Sequence, residues 1–368
     1  MTTLVHLPSR FVVYPAGDGE RRVQSAHTVV GLKGVRDGAA FDRLISALRS
    51  GIVVAEWVAE QPPAQRAFLV RVVELLAARG VLVDGPARAP DVTVSQAEHL
   101  ELYGDGTAVA ERLSQARVVL VGDGSVVAEA ALGLVRAGVG HLKLLGAGRV
   151  DAVGLHRLPW LGPDALGHPL HQEAAEALAR RYPSSRVSFA FFDADRDPVA
   201  HELSRADLLV HVPDGHRPLA RRRLNDAALE AGVPLLARRQ VGMEVAVGPV
   251  VVAQGGPCLR CLDHRLQSNL QRPLEGIALE AALSSHPRGG PPALSLGVGP
   301  TPAGLGLLCS EAIAVLAGGR SPDLLGQVAL QYVGRADVRR HPVLRIPRCV
   351  GCGSAHRRRP RIDAWGSP

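Results

Sequence analysis

Lysine is almost missing from this chain. Among 368 residues there are two, Lys33 and Lys143, so arginine carries nearly all the positive charge. A phosphate site that relies on lysine has only those two candidates, and Lys143 lies inside a strand-like segment. Aromatic residues make up 4%, a poor supply for stacking on bases, so no nucleic-acid partner is expected. The N-terminal "MTTLVHLPSRFVVYPAGDGE" lacks the apolar core of a signal peptide. The longest uncharged run, Gly289 to Ser310, is broken by Pro291, Pro292, Pro300 and Pro302. It excludes a membrane helix there, and no membrane partner is expected.

What is present is the make-up of a soluble globular protein, 46% hydrophobic and 21% charged. The length is enough for two domains and a sizeable core. The formal charge of +7 is concentrated in runs such as "ARRRLND" and the tail "HRRRPR". These read first as solvated arginine-rich faces, and second as a surface for an acidic partner.

Two parts follow from the patterning. Residues 1–84 open with strand-like segments around the turn signal "AGDGE". Three helical patterns follow, "GAAFDRLISALRSG", "VVAEWVAEQ" and "PAQRAFLVRVVELLAARG". Three small strands and three helices predict a compact winged-helix-like unit. Residues 85–110 are a linker that begins in the polar "DGPARAPDVTVSQ". Residues 111–352 alternate strands and helices, which predicts an α/β fold with a mostly parallel sheet and helices on both faces. Residues 353–368 are a basic tail, expected to be disordered.

Two constellations could carry chemistry. Gly122-Asp123-Gly124 lies between a strand and a helix, the context for a phosphate at a helix N-terminus. The pattern is incomplete, because Val127 stands where the third glycine belongs. A tight turn with no nucleotide is the plainer reading of a GxG. The second constellation is Cys258-Leu-Arg-Cys261 with Cys349-Val-Gly-Cys352. Four thiolates can close a tetrahedral shell, so the pairs predict a structural Zn2+ that staples distant segments. A redox CxxC is the rival, weakened by there being two pairs. Thiols kept for a metal point to a reducing cytoplasm. The fifth cysteine, Cys309, sits among leucines and reads as a small buried hydrophobe. His156, His168, His171 and His264 form no metal-binding pair and read as surface or polar-network residues.

With these residues in hand, the second part resembles the ThiF-like superfamily. These are the Rossmann-like adenylating domains of ubiquitin-activating enzymes and of the thiamin and molybdopterin sulfur-carrier activators. The resemblance rests on "VVLVGDG", "VDAVGLHR", "HVPDGHRPLARRRLNDAALEAGVPLL", "GGPCLRCL", "GVGPTPAGLGLLCSEAIAVLAG" and the final CxxC, in that order. It implies an ATP site whose residues can be checked singly. Gly122 and Gly124 keep part of the glycine loop, Arg157 matches the arginine that reaches the phosphates, and Asp214 matches the aspartate that helps hold magnesium. The ribose carboxylate falls on Gly146, its acidic neighbour on Gly148, a conserved-pattern asparagine on Gly154, and the phosphate lysine on Leu170. Losing two charge-assisted bonds of about 1.5–3 kcal/mol each would weaken ATP binding a hundredfold or more, at about 1.4 kcal/mol per tenfold. ATP binding is therefore not expected. Arg157 and Asp214 could equally form a structural ion pair.

The first part resembles the recognition element of ribosomal peptide natural-product pathways. That resemblance implies an extended leader peptide added to the third small strand and packed on the third helix. The groove would involve Thr28, Val29, Val30, Gly31 and Leu32 with Val70, Val73 and Leu76. Chains with both parts resemble the ocin-type, ThiF-like leader-binding partners of YcaO cyclodehydratases. Such a chain binds the leader of a precursor peptide and presents its core to the YcaO enzyme, raising its effective concentration. A homodimer is implied by the same resemblance. Two rivals stand beside this scaffold reading. One is a working adenylating enzyme that activates a peptide or sulfur-carrier C-terminus. The other is a dinucleotide-dependent oxidoreductase, against which Gly146 and Gly148 argue.

Overall fold

A computed structural model describes residues 3–353 except 18, 26–27, 86–95, 97–98, 216, 242–243, 254, 286–299, 333–334 and 336. The expected tail beyond Gly353, and residues 86–95 and 97–98 of the expected linker, therefore lie outside the described residues. The chain divides into two compact units, residues 1–99 and 100–368.

Among its described residues the first unit holds six short strands where three were expected. Strands β1 (Leu4–His6), β5 (Ile52–Val53) and β6 (Val83–Asp84) form one antiparallel sheet in the order β5-β1-β6. Strands β2 (Val12–Pro15), β3 (Arg21–Gln24) and β4 (Val29–Leu32) form an antiparallel meander. The extra strands are only two or three residues long, too short to show a period in sequence. The three helices are α1 (Gly38–Ser50), α2 (Val54–Ala59) and α3 (Pro63–Ala78). Asp37 caps α1 by accepting from the Ala40 N–H at 2.9 Å. Pro63 opens α3 at the first helical position, where no N–H is needed. Phe41, Leu44, Leu48, Leu69, Val73 and Leu76 close the core between helices and strands.

The second unit is built on one eight-stranded sheet. Its parallel part runs β11 (Leu235–Val241), β10 (Leu208–His211), β7 (Arg117–Val121), β8 (His141–Gly146), β9 (Arg186–Phe191). Leu208 stands opposite Val118, and Leu120 opposite Leu144. The alternation of β7 sends Val118 and Leu120 to one face and Val119 and Val121 to the other, and each pair enters a separate core. Helices α4 (Gly106–Gln115), α5 (Ser125–Arg136), α7 (Leu170–Arg181) and α12 (Pro300–Ala317) supply the first core. Helices α8 (Ala200–Leu203), α9 (Pro218–Ala231) and α10 (Leu259–Ser268) supply the second. Two further helices, α6 (Ala152–Arg157) and α11 (Pro273–Ser285), complete the set among the described residues. This is the expected α/β fold, a mostly parallel sheet with helices on both faces.

An antiparallel extension was not expected. Strands β12 (Glu244–Val247), β13 (Gln327–Tyr332) and β14 (Val338–Pro342) add to β11 in that order. Every residue of β14, "VRRHP", is exposed. Its strand state comes from pairing with β13, and a solvated edge carries no hydrophobic period for a sequence to reveal.

Leu120 sits in the middle of the sheet, fully buried. Leu120→Ala is expected to cost about 2–5 kcal/mol of stability, read as a lower denaturation midpoint in urea at unchanged slope.

Candidate functional site

The order of the strands creates the site. The chain leaves β7 for β8 on one side, while β10 lies on the other, so the carboxyl ends of β7 and β10 open a crevice at a topological switch point. Gly122, Asp123 and Gly124 follow β7 at this point and lead into α5. A Cβ on Gly122 would overlap the carbonyl of Val212, and one on Gly124 would overlap the carboxylate of Asp214. Both glycines are therefore required by close approach.

Asp214 dominates the crevice. Its Oδ1 accepts from the Val126 N–H at 3.1 Å, so a carboxylate of the chain itself occupies the amino end of α5. Burial pushes its acidity down, raising the pKa above the usual carboxylate range, while Arg157, the Val126 N–H and Arg238 pull it back. Arg157 does not pair with Asp214. Its Nε donates to Glu129 Oε1 at 2.7 Å, and its buried Nη2 has no hydrogen-bond partner among the described residues. The expected ion pair between Arg157 and Asp214 is therefore not formed; Arg157 pairs with Glu129 instead. Arg238, wholly buried, is lowered to about 10 by burial. Across the mouth, Arg217 bridges Asp123 at 3.4 Å and Asp195 at 3.1 Å.

The substituted positions are shaped for their present residues. Gly146 ends β8, and a Cβ there would overlap both the Gly122 carbonyl and the ring of His171. His171 is buried, with Nε2 at 2.7 Å from the Gly122 carbonyl oxygen. Burial lowers its pKa, which keeps the ring neutral with one N–H to donate. A Cβ on Gly148 would overlap the Asp123 carbonyl. Leu170 is 1% exposed and belongs to the core. Lys143 is engaged elsewhere, its Nζ 2.6 Å from Glu202. His171, Glu129, Arg217 and Arg238 carried no motif, and only the register of strands and helices brings them to the glycine loop.

The four cysteines converge. Their sulfurs all lie within 4.8 Å of one another and all four residues are buried, an arrangement that could hold a metal ion. The Cys258–Cys261, Cys258–Cys349 and Cys261–Cys352 sulfur pairs are 4.0, 3.7 and 3.5 Å apart. A tetrahedral ion with metal–sulfur bonds of about 2.3 Å sets sulfurs about 3.8 Å apart, so the cage fits zinc. Asn225 Oδ1 accepts from the Leu259 N–H at 2.9 Å, and the Ile346 N–H points at Cys261 Sγ at 3.4 Å. Burial alone would raise the thiol pKa of Cys258, and a bound cation reverses that by stabilising the thiolate. Cys309 stands apart against Gly133, its thiol pushed up to about 12 by burial.

In the first unit, β4 is an edge strand paired only with β3 among the described residues. Val30, Leu32, Val73 and Leu76 lie in the unit's own core. Val29, Gly31 and Val70 are exposed, and Thr28 is half-buried. Among the described residues, no helix is long and apolar enough to cross a membrane.

A model described as "ThiF family" matches residues 96–349. The sulfur carrier protein adenylyltransferase of Thermus thermophilus is 32% identical over 69% of this chain and 88% of its own length. The molybdopterin-synthase adenylyltransferase of Escherichia coli is 28% identical over 66% of this chain and 89% of its own length. Among solved structures, E. coli MccB with AMPCPP and MccA superposes with a TM-score of 0.71, covering 95% of this chain and 100% of that one at 17% identity. PaaA gives a TM-score of 0.65 over 92% of this chain and 99% of its own, at 15% identity. At such identities the structures establish a shared fold. The family match spans more than two thirds of the sequence, and the chain belongs to the ThiF family.

Two outcomes are expected. Elemental analysis of the purified protein finds one metal ion per chain, and Cys349→Ser abolishes it and lowers the melting temperature. Separately, His211 is buried beside Arg221 and Arg217, its Nδ1 lacks a partner, and its pKa falls to about 3 from an ordinary value near 6.5. The folded state therefore binds fewer protons than the unfolded chain between those values, so this stability is whole above about pH 6.5 and is lost as pH falls toward 3. Melting temperatures recorded from pH 7 to pH 5 should fall less steeply for His211→Gln than for the natural protein.

Proposed function

We propose that this ThiF-family chain is a peptide-binding scaffold that holds the leader of a precursor peptide and presents it to a YcaO-type cyclodehydratase. In this reading azoline rings form on the precursor in the partner's active site, and the chain's own nucleotide crevice is retired. One observation carries it. The place of the ribose carboxylate is Gly146, and His171 seated on the Gly122 carbonyl leaves no room there for a side chain. Leu170 in the core and Lys143 tied to Glu202 leave the phosphates without the usual lysine. Lys33, the other lysine, belongs to the first unit.

The peptide would add to β4 as a further strand. Edge backbone supplies the bonds, and the exposed Val29 and Val70 supply apolar contact. Val30, Leu32, Val73 and Leu76 would then support the groove from behind. The cysteine cage takes Zn2+ as a structural ion that ties "CLRC" to "CVGC". A homodimer, as the family resemblance implies, completes the assembly.

The relatives favour a second reading, an active adenylating enzyme. Both named relatives are adenylyltransferases, and Gly122, Gly124, Arg157 and Asp214 stand at positions that the family resemblance gives to nucleotide binding. In that reading Arg157 would leave Glu129 to meet phosphate, and Asp214 would leave the amino end of α5 to meet magnesium. The two readings divide over residues 146, 148, 154 and 170, and over whether Arg157 and Asp214 leave their present partners.

Calorimetry with ATP and magnesium, and polarisation with a fluorescein-labelled leader peptide, separate them. The scaffold reading expects tight peptide binding, no heat from ATP, and no pyrophosphate exchange. Peptide-dependent pyrophosphate release would overturn it in favour of adenylation. Val29→Asp is expected to weaken the peptide about tenfold, a cost of about 1.4 kcal/mol, with the melting temperature unchanged because Val29 is 54% exposed.

A further inference from the structure

The end of the sheet opposite the glycine loop holds a cleft of about 450 Å3 at the amino ends of β7, β10 and β11. That is within the range of pockets that take small ligands or a few side chains. Leu316, part-exposed, contributes apolar lining backed by the buried Val233 and Val315, and three arginines from three segments contribute charge. Arg112 ends α4, Arg117 begins β7, and Arg205 precedes β10. All three are exposed, and among the described residues none of their guanidinium groups has an ion-pair partner.

The one carboxylate in the lining is already committed. Asp207 Oδ2 accepts from the Arg117 N–H at 2.8 Å, and the Asp207 N–H donates to the Arg117 carbonyl at 2.8 Å. That reciprocal clamp ties the start of β10 to the start of β7 and turns the carboxylate toward backbone. The cleft is left with an excess of positive charge over an apolar floor.

We propose that this cleft docks an acidic peptide segment of a partner protein, carboxylates on the arginines and an apolar side chain against Leu316. Guanidinium groups match carboxylates with paired hydrogen bonds. The apolar floor offers nothing to a free phosphate. No aromatic ring lines the cleft, so it lacks the stacking platform of a single-strand nucleic-acid site. The lining residues are none of those of β4 or of the nucleotide crevice, so the cleft can act whether the chain is a scaffold or an adenylating enzyme.

The arginines have one competing role. Helices α4, α9 and α12 all end at this cleft, and cations near helix carboxyl ends are stabilising. The test separates the two. A fluorescein-labelled octapeptide of alternating Asp and Leu is titrated by polarisation, beside its Asn–Leu counterpart. The acidic peptide should bind more weakly as salt rises, and the counterpart should not bind. Arg112→Gln with Arg205→Gln should weaken it about tenfold or more. Arg339→Gln with Arg340→Gln on β14, where the charges already pair with Asp337 and Asp323, should leave it unchanged. Equal weakening by both pairs would reduce the effect to net charge and overturn the proposal. So would a cleft variant that melts earlier yet binds as before, which would assign the arginines to the helix ends. Full displacement of the peptide by millimolar phosphate would make the cleft an anion site instead.

Discussion

One carboxylate, that of Asp214, organises the crevice of the second unit. Asp214 sits against the amino end of α5, held by the Val126 N–H and balanced by the guanidiniums of Arg157 and Arg238. An unbalanced charge in that position would be prohibitively costly. The neighbouring residues follow from it. Gly124 has no side chain because the carboxylate fills that space. Arg157 is buried with Glu129 rather than extended into the crevice. The strands that bring these groups together are the adjacent parallel pair β7 and β10.

The same crevice carries conflicting signals, and they can be ranked physically. Arg157 and Asp214 are flexible side chains that could be redirected by a bound nucleotide at the cost of their present partners. Gly146 is a different kind of obstacle. The backbone carbonyl of Gly122 and the ring of His171 occupy the direction a side chain would take, and His171 is itself buried and hydrogen-bonded. Restoring a carboxylate there needs a second change at His171. The absence of a side chain at position 146 is therefore built into the packing and involves more than one residue. That is the reason for placing the scaffold ahead of the adenylating reading, although the relatives' own activities favour the latter.

The cysteine cage serves a different purpose. It joins the start of α10 to the segment after β14, two stretches with a long run of chain between them. Cys258, Cys261, Cys349 and Cys352 also form part of the core beneath α9. A metal there converts a long, unfavourable loop closure into a fixed anchor. Strands β13 and β14 lie within that span, so a metal held by the cage and the outer part of the sheet extension would support the same region.

The sequence by itself determined the fold class and the chemistry of the metal cage. Continuous apolar runs in β7 and β10, with helical patterns between them, mark strands buried on both faces, and two CxxC pairs together favour a ligand set over a redox pair. The residue types at positions 146, 148 and 170 were also legible, because a missing charge is visible in one dimension. Only the tertiary structure decided that His171 seals Gly146, that Arg157 takes Glu129 instead of Asp214, and that three scattered arginines share one cleft. The edge strand β14 was likewise invisible beforehand. These are contacts between residues far apart in sequence, set by strand order and register. Local propensity and periodicity carry no information about which distant partner the pairing will bring alongside.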